Sequence, residues 1–349
     1  MRYLLSLLRR QMDKERRTFY ISKSKLLHRK SELNNSTTDP LGSVVALLKP
    51  QPSIAKLVSG GGRWRVERTN MANPFYCAMS EGTCLLTIRD GAPIVLEAGD
   101  FVLVPEVFDF TMTSIDPPPR GAPSLRLETG PGVFQLGERD APTDVRCLVG
   151  HCSFGSPDRE LLVSLLPTVI HVRAQRRLIA LVQMIQEETQ SQLAAHDMVL
   201  RHLLELLLIE ALRSVARTTA EPGMLRGLAD PQLALALRQI HANPAAHLSV
   251  QALASAAGMS RSTFFDRFHR EVGSAPMKYV AGWRMAVAKD MLLDGKIAMS
   301  ELAQRVGYGS VSAFSMAFLR HVGTPPGAFA ASRQAAYVAP QSVQGRSAK

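Results

Sequence analysis

Thiols and guanidinium groups are the side chains of this sequence whose spacing can be tested for chemistry. Cysteines stand at Cys77, Cys84, Cys147 and Cys152. A pair of them could cycle between thiols and a disulfide, and three sulfur or imidazole ligands could hold zinc. A two-residue turn at Glu81-Gly82 would set Met79 opposite Cys84 and leave Cys77 diagonal to it, about 7–8 Å away. That is beyond easy bridging. Cys147 and Cys152, five residues apart, fall on opposite faces of one strand about 16 Å apart. They cannot bond in an intact strand, and the same spacing argues against Cys147, His151 and Cys152 sharing one zinc. Two readings stay open: buried cysteines as small hydrophobic side chains, or a cross-pair such as Cys77 with Cys147 as a thiol redox sensor.

A second set suits an anionic polymer. At helical spacing Arg261, Ser262, Phe265, Asp266, His269 and Arg270 face away from Phe264 and Phe268, and the two arginines Arg261 and Arg270 suit phosphates. The elements that carry them occur twice. Leu253-Ala254 recurs as Leu302-Ala303, Gly258 as Gly307, Ser260 as Ser310, Phe264 and Phe268 as Phe314 and Phe318, and Pro276 as Pro326, with an offset of 49 residues early and 50 later. The one-residue slip falls in a turn, where insertions are absorbed. Each copy predicts two short helices about a glycine turn, the second capped by Ser260 or Ser310, which is helix-turn-helix grammar. The pattern predicts a stiff helix from Met277 to Leu293 between them. It would let two recognition helices enter successive major-groove turns of double-stranded DNA, roughly 34 Å apart.

The two copies, with Trp283-Arg284-Met285 in the linking helix and the closing Gly323-Thr324-Pro325-Pro326, resemble the DNA-binding domain of the AraC/XylS transcription regulators. The resemblance covers Asp230 to Arg333. It implies a sequence-specific regulator, usually an activator, with DNA, RNA polymerase and a small-molecule effector as partners. It also places Ser262, Phe265 and Asp266 where base-reading side chains lie in the first unit, with Val311, Ser312, Ser315 and Met316 at the corresponding positions of the second. Ser260 and Ser310 can reach a phosphate from their helix N-termini. The second set is poor in bidentate readers and predicts softer base discrimination there.

Upstream, Trp64–Val66, Phe75–Met79, Cys84–Ile88, Ile94–Leu96 and Phe101–Val104 are short alternating runs separated by Gly and Pro, the texture of a small antiparallel barrel. The segment from Glu81 to Pro105 resembles a cupin half-barrel, and Cys147–Phe154 reads as its last strand. A catalytic cupin needs a His-x-His pair, a carboxylate and a later histidine, whereas His151 is the only histidine between Leu57 and Phe154. No metal, cofactor or enzyme activity is expected, and no catalytic residue is assigned. From Arg173 the period turns helical, through Leu178, Leu181, Val182 and Ile185 and then, behind an Asp197 cap, Leu200, Leu203, Leu204, Leu207, Leu208 and Leu212. That second stripe covers more than half the helix. The resemblance implies a homodimer contact there; packing within the chain is the alternative.

The net charge of +11 is uneven: residues 1–40 carry ten Lys/Arg against four Asp/Glu, 41–228 carry 18 against 20, and 229–333 carry 11 against six. A neutral middle joined to a basic end suits a sensor joined to a phosphate-binding module. The expected architecture is two-domain α+β. A basic disordered extension (1–38) precedes a cupin-like domain (39–172), a helical dimerisation segment (173–216) and a linker (217–229). An all-α DNA-binding domain with two helix-turn-helix motifs (230–333) and a disordered tail (334–349) follow. No apolar run approaches the roughly 20 residues of a membrane span and no signal-peptide pattern opens the chain, so a cytoplasmic protein without membrane contact is expected.

Overall fold

A computed structural model describes residues 39–69, 73–106, 109–122, 125–191, 193–216, 221–295 and 297–338. The chain divides into Met1–Asp39 and Pro40–Lys349, and all of the elements belong to the second unit; the expected extension 1–38 lies outside the described residues.

A short apolar helix, α1 (Pro40–Leu48), precedes eleven strands among the described residues. Seven form one sheet, in the order β11 (Ile170–Val172), β6 (Phe101–Val104), β3 (Phe75–Glu81), β10 (Val145–Phe154), β1 (Pro50–Gly61), β9 (Val133–Gly137) and β8 (Leu125–Gly130). Four form the other, in the order β2 (Arg65–Arg68), β7 (Phe110–Thr113), β4 (Thr83–Ile88) and β5 (Ile94–Glu97). All pairs are antiparallel except β1 with β9. Period-two alternation gives each sheet an inner face: Cys147 of β10 joins the core between the sheets and Cys152 the core on the outer side. Val145–Phe154 is therefore not the last strand, because Ile170–Val172 returns to pair with β6.

The expected Glu81-Gly82 hairpin does not form a ladder. β3 and β4 belong to different sheets, so the chain turns a barrel corner there. Met79 still meets Cys84, Sγ to Sδ 3.7 Å, but across the sandwich.

The outer face of the larger sheet is covered by α1, α2 (Arg159–Ser164), α3 (Arg176–Gln190) and α4 (His196–Val215). Asp197 lies in the first turn of α4, not at its cap, which is Ala195. Next come α5 (Met224–Ala229), α6 (Pro231–Ala242), α7 (Val250–Ala256), α8 (Arg261–Val272), α9 (Pro276–Leu293), α10 (Met299–Arg305), α11 (Val311–Val322) and α12 (Pro326–Val338). Two boundaries differ from the sequence expectation. The segment read as linker contains α5, whose Met224 and Leu225 are buried, and α12 runs past residue 333 into the expected tail.

One continuous core runs from Val44 and Tyr76 through Leu204 to Leu237, Phe264, Phe268 and Trp283, joining the sheet to the first helix-turn-helix. The second unit has its own core of Met285, Leu292, Phe314, Phe318 and Phe329. Two ion pairs tie the linking helix α9 to the sheet domain, Lys289 Nζ to Asp158 Oδ1 at 2.8 Å and Lys49 Nζ to Asp290 Oδ1 at 2.5 Å.

Candidate nucleic-acid interface

Each unit is built by the same local rules. Asp230 opens the domain by accepting from Gln232 N and Leu233 N ahead of Pro231. Ser249 caps α7, and Ser260 and Ser310 cap the second helices by accepting from Thr263 N and Ala313 N. Gly258 and Gly307 hold the turns at φ 65° and 80°. Buried pairs Phe264–Phe268 and Phe314–Phe318, with ring centroids 5.5 and 5.6 Å apart, seat α8 and α11 on α7 and α10.

The opposite faces are left to solvent. Ser260, Arg261, Ser262, Phe265, Asp266 and Arg270 are all exposed on α8, with Phe265 at 40%; on α11 so are Ser310, Val311, Ser312 and Met316, while Ser315 is half-buried. Arg261 has no acidic partner among the described residues. Arg270 does: its Nε donates to Glu271 Oε1 at 2.8 Å, and Glu271 Oε2 also takes Arg226 Nε at 2.5 Å. Hydrogen bonds from Arg270 and then Arg226 hold the Glu271 carboxyl below its usual pKa range, so a phosphate must compete for Arg270.

Sequence reasoning missed the residues that hold this face. Arg267 binds Asp230 Oδ2 at 2.6 Å and Gln232 Oε1 at 2.9 Å, bracing α8 against the start of α6. Arg284 donates to Pro244 O at 2.9 Å and Ala246 O at 2.7 Å, and its guanidinium lies 5.7 Å from the Tyr308 ring centre in the second turn. It therefore joins the two halves. The signal for Arg284 was the arginine inside the apolar Trp-Arg-Met of the linking helix.

The leucines expected at a dimer contact face inward: Leu200, Leu204, Leu207, Leu208 and Leu212 are buried within one chain, and Leu203 is partly buried against the same core. The sheet and α3 take the apolar stripe, leaving Met198, Val199 and Leu206 exposed on the other side of α4. The cysteines are free and buried. Interaction with the neighbouring Cys147 thiol, followed by burial, raises the Cys77 pKa. Burial also raises Cys84 and pushes Cys152 up to about 12. Such thiols stay protonated and poorly nucleophilic at neutral pH.

A two-sheet barrel domain packed on a pair of serine-capped helix-turn-helix units, each presenting an exposed recognition helix, defines a two-domain DNA-binding regulator. Residues 39–217 match the Cupin family and residues 253–332 the Helix-turn-helix domain family. An AraC-like transcription regulator of Streptomyces lividans is 36% identical over 300 residues, covering 83% of this chain and 97% of that protein. Another from Streptomyces antibioticus is 36% identical over 297 residues, with the same coverage. The chain belongs to the AraC family of transcription regulators. Among solved structures, the DNA-binding domain of AdpA in complex with a target DNA has 31% identity, covers 32% of this chain and 99% of that one, and has a TM-score of 0.29. Among the described residues no helix is long and apolar enough to cross a membrane.

Proposed function

We propose that this regulator is a transcription activator that binds its operator through α8 and α11, responds to a small molecule taken up by the barrel, acts as a homodimer and engages RNA polymerase. The observation that carries the DNA reading is the pair of exposed helix faces, each starting at a capping serine and held by its own phenylalanine pair. Arg261 and Arg270 contact phosphate, Ser262, Phe265 and Asp266 read bases, and Val311, Ser312, Ser315 and Met316 add affinity with softer discrimination. Pairing of two copies uses the exposed side of α4, since its leucines are already buried. A gel-shift titration with the region upstream of its own gene and its neighbours tests the DNA contacts. Arg261→Ala/Arg270→Ala should lose specific binding and lower the salt dependence by about two phosphate contacts; unchanged binding would refute the assignment.

The placement of Cys77 and Cys147 in one core on the paired strands β3 and β10 supports a second reading, thiol-based redox sensing. DNA binding that is altered by hypochlorite, restored by reductant and insensitive in Cys77→Ser would select it over the small-molecule reading.

A further inference from the structure

The larger sheet contributes β1, β3, β8, β9 and β10, and the smaller β2 and β7, to a part-open cavity of about 90 Å³. Its lining residues are alternate positions of their strands, which strand periodicity turns to one face. The walls are aromatic: Trp64, Phe75, Phe110 and Phe134 line it, and the Phe75 and Phe110 ring centroids are 4.5 Å apart. Two nitrogens among these walls break the usual rule that buried polar groups are paired. Trp64 is 2% exposed, yet its indole Nε1 has no hydrogen-bond partner, and the buried Nδ1 of His151 has none either.

The same cavity is ringed by positive charge. Lys56 Nζ lies 5.0 Å and the Arg126 guanidinium 4.8 Å from the centre of the Phe134 ring. Arg68 completes the set, donating to the carbonyl of its neighbour Glu67 at 3.1 Å. None of the three has a carboxylate at ion-pair distance among the described residues. Burial first, then the charge of Arg126, lowers the pKa of Lys56 and Arg68; Arg68 adds to the effect on Lys56, and Glu128 opposes it there only as the weakest influence. Three like charges around an apolar hollow, Arg126 exposed and the other two half-buried, favour the arrival of an anion. The apolar walls in turn reject a bare ion, whose hydration they cannot replace.

We propose that this cavity binds a small amphipathic carboxylate, its apolar body against Trp64, Phe75 and Phe110 and its carboxylate among Lys56, Arg68 and Arg126. The volume sets the scale. At about 90 Å³ it is smaller than the roughly 150 Å³ hole that admits benzene, so it encloses a short alkyl chain or part of one ring, with the remainder and the head in the open mouth. That the carboxylate acts as effector rests on the ligand-responsive reading above; that it binds does not.

Calorimetric titration of the full chain with phenylacetate, hexanoate, their neutral counterparts 2-phenylethanol and hexanol, and inorganic phosphate tests the site. At least one of the two carboxylates should bind saturably, with its neutral counterpart and phosphate weaker by at least roughly tenfold, about 1.4 kcal/mol. Lys56→Gln/Arg126→Gln should lose a similar factor while keeping the circular dichroism of the parent. Equal binding of a carboxylate and its alcohol, no binding of either carboxylate, or undiminished binding by the variant would each overturn the proposal. The alcohol comparison needs no variant and so does not depend on one folding. A gel shift run alongside separates the two claims: carboxylate binding without any change in DNA affinity retains the site and refutes the ligand response, and DNA binding with no carboxylate uptake refutes the site and leaves the DNA-binding reading standing.

Discussion

The two helix-turn-helix units are nearly one sentence written twice, yet they are anchored differently. In the first, Phe264 and Phe268 sit in a core shared with the barrel's covering helices, and Phe268 meets Tyr279 edge-on at 5.7 Å. In the second, Phe314 and Phe318 pack in a separate core closed by Phe329, 5.6 Å from Phe318. The outer faces differ too. α8 is braced by Arg267 and the Arg270–Glu271–Arg226 cluster, whereas α11 carries no ion pair among the described residues and exposes Val311, Met316 and Leu319. Identical capping and turn rules thus fix local shape, and what each unit is packed against decides its stability and surface.

Phenylalanine truncation gives the largest expected contrast. Phe268→Ala and Phe318→Ala both empty fully buried sites and should each cost about 3–5 kcal/mol. Phe268→Ala should lower the midpoint of the whole chain in denaturant, followed by far-ultraviolet circular dichroism, while Phe318→Ala should open an early transition confined to the second unit. A single shared transition for Phe318→Ala would break the distinction.

Acid sharpens it next. His241, in the first unit's core, bonds Tyr279 OH at 2.8 Å and stacks 3.9 Å from Trp283; burial lowers its pKa from 6.5 to about 3. A folded pKa below the unfolded one means that the unfolded chain takes up the proton first. Stability from this group is therefore intact above pH 6.5 and lost as pH falls toward 3, at about 1.4 kcal/mol per unit. Among the described residues no histidine is buried in the second core, so His241→Gln should flatten the acid limb of the first unit's unfolding curve and leave the second unchanged.

The smallest contrast compares the turn glycines. Both have positive φ, but a Cβ on Gly258 would meet nothing nearer than 3.8 Å, while one on Gly307 would lie 2.6 Å from Arg284 Nη2 and 2.7 Å from Pro244 O. Gly258→Ala should cost about 1 kcal/mol for the left-handed backbone, and Gly307→Ala at least about 1 kcal/mol more for the overlap. Equal losses of melting temperature would show that Arg284 and the Pro244 carbonyl both move aside freely.

How much of this was legible follows from which interactions are local. Capping serines, turn glycines and phenylalanine spacing act within a few residues, so the helix-turn-helix pair and Asp230-Pro231 could be read directly. β8 and β9 could not: their residues are mostly exposed or half-buried, and β9 finds β1 in parallel from far along the chain. The apparent hairpin at Gly82 misled because sheet membership is decided by distant strands. The leucine stripe of α4 correctly announced a buried face but could not name the neighbour, which proved to be the chain itself. The cavity cations lie on three separate strands, and only the assembled sheets bring Lys56, Arg68 and Arg126 together.

The shared core has a mechanical consequence. Close-packed interiors are stiff and transmit displacement instead of absorbing it, so a shift of the barrel's covering helices is delivered to α8 as a rigid push. The second unit hangs from the far half of α9, pinned at Lys289 and Asp290 to Asp158 and Lys49. Those two ion pairs fix α9 at that point, so a displacement of the barrel there would alter the angle between the two recognition helices.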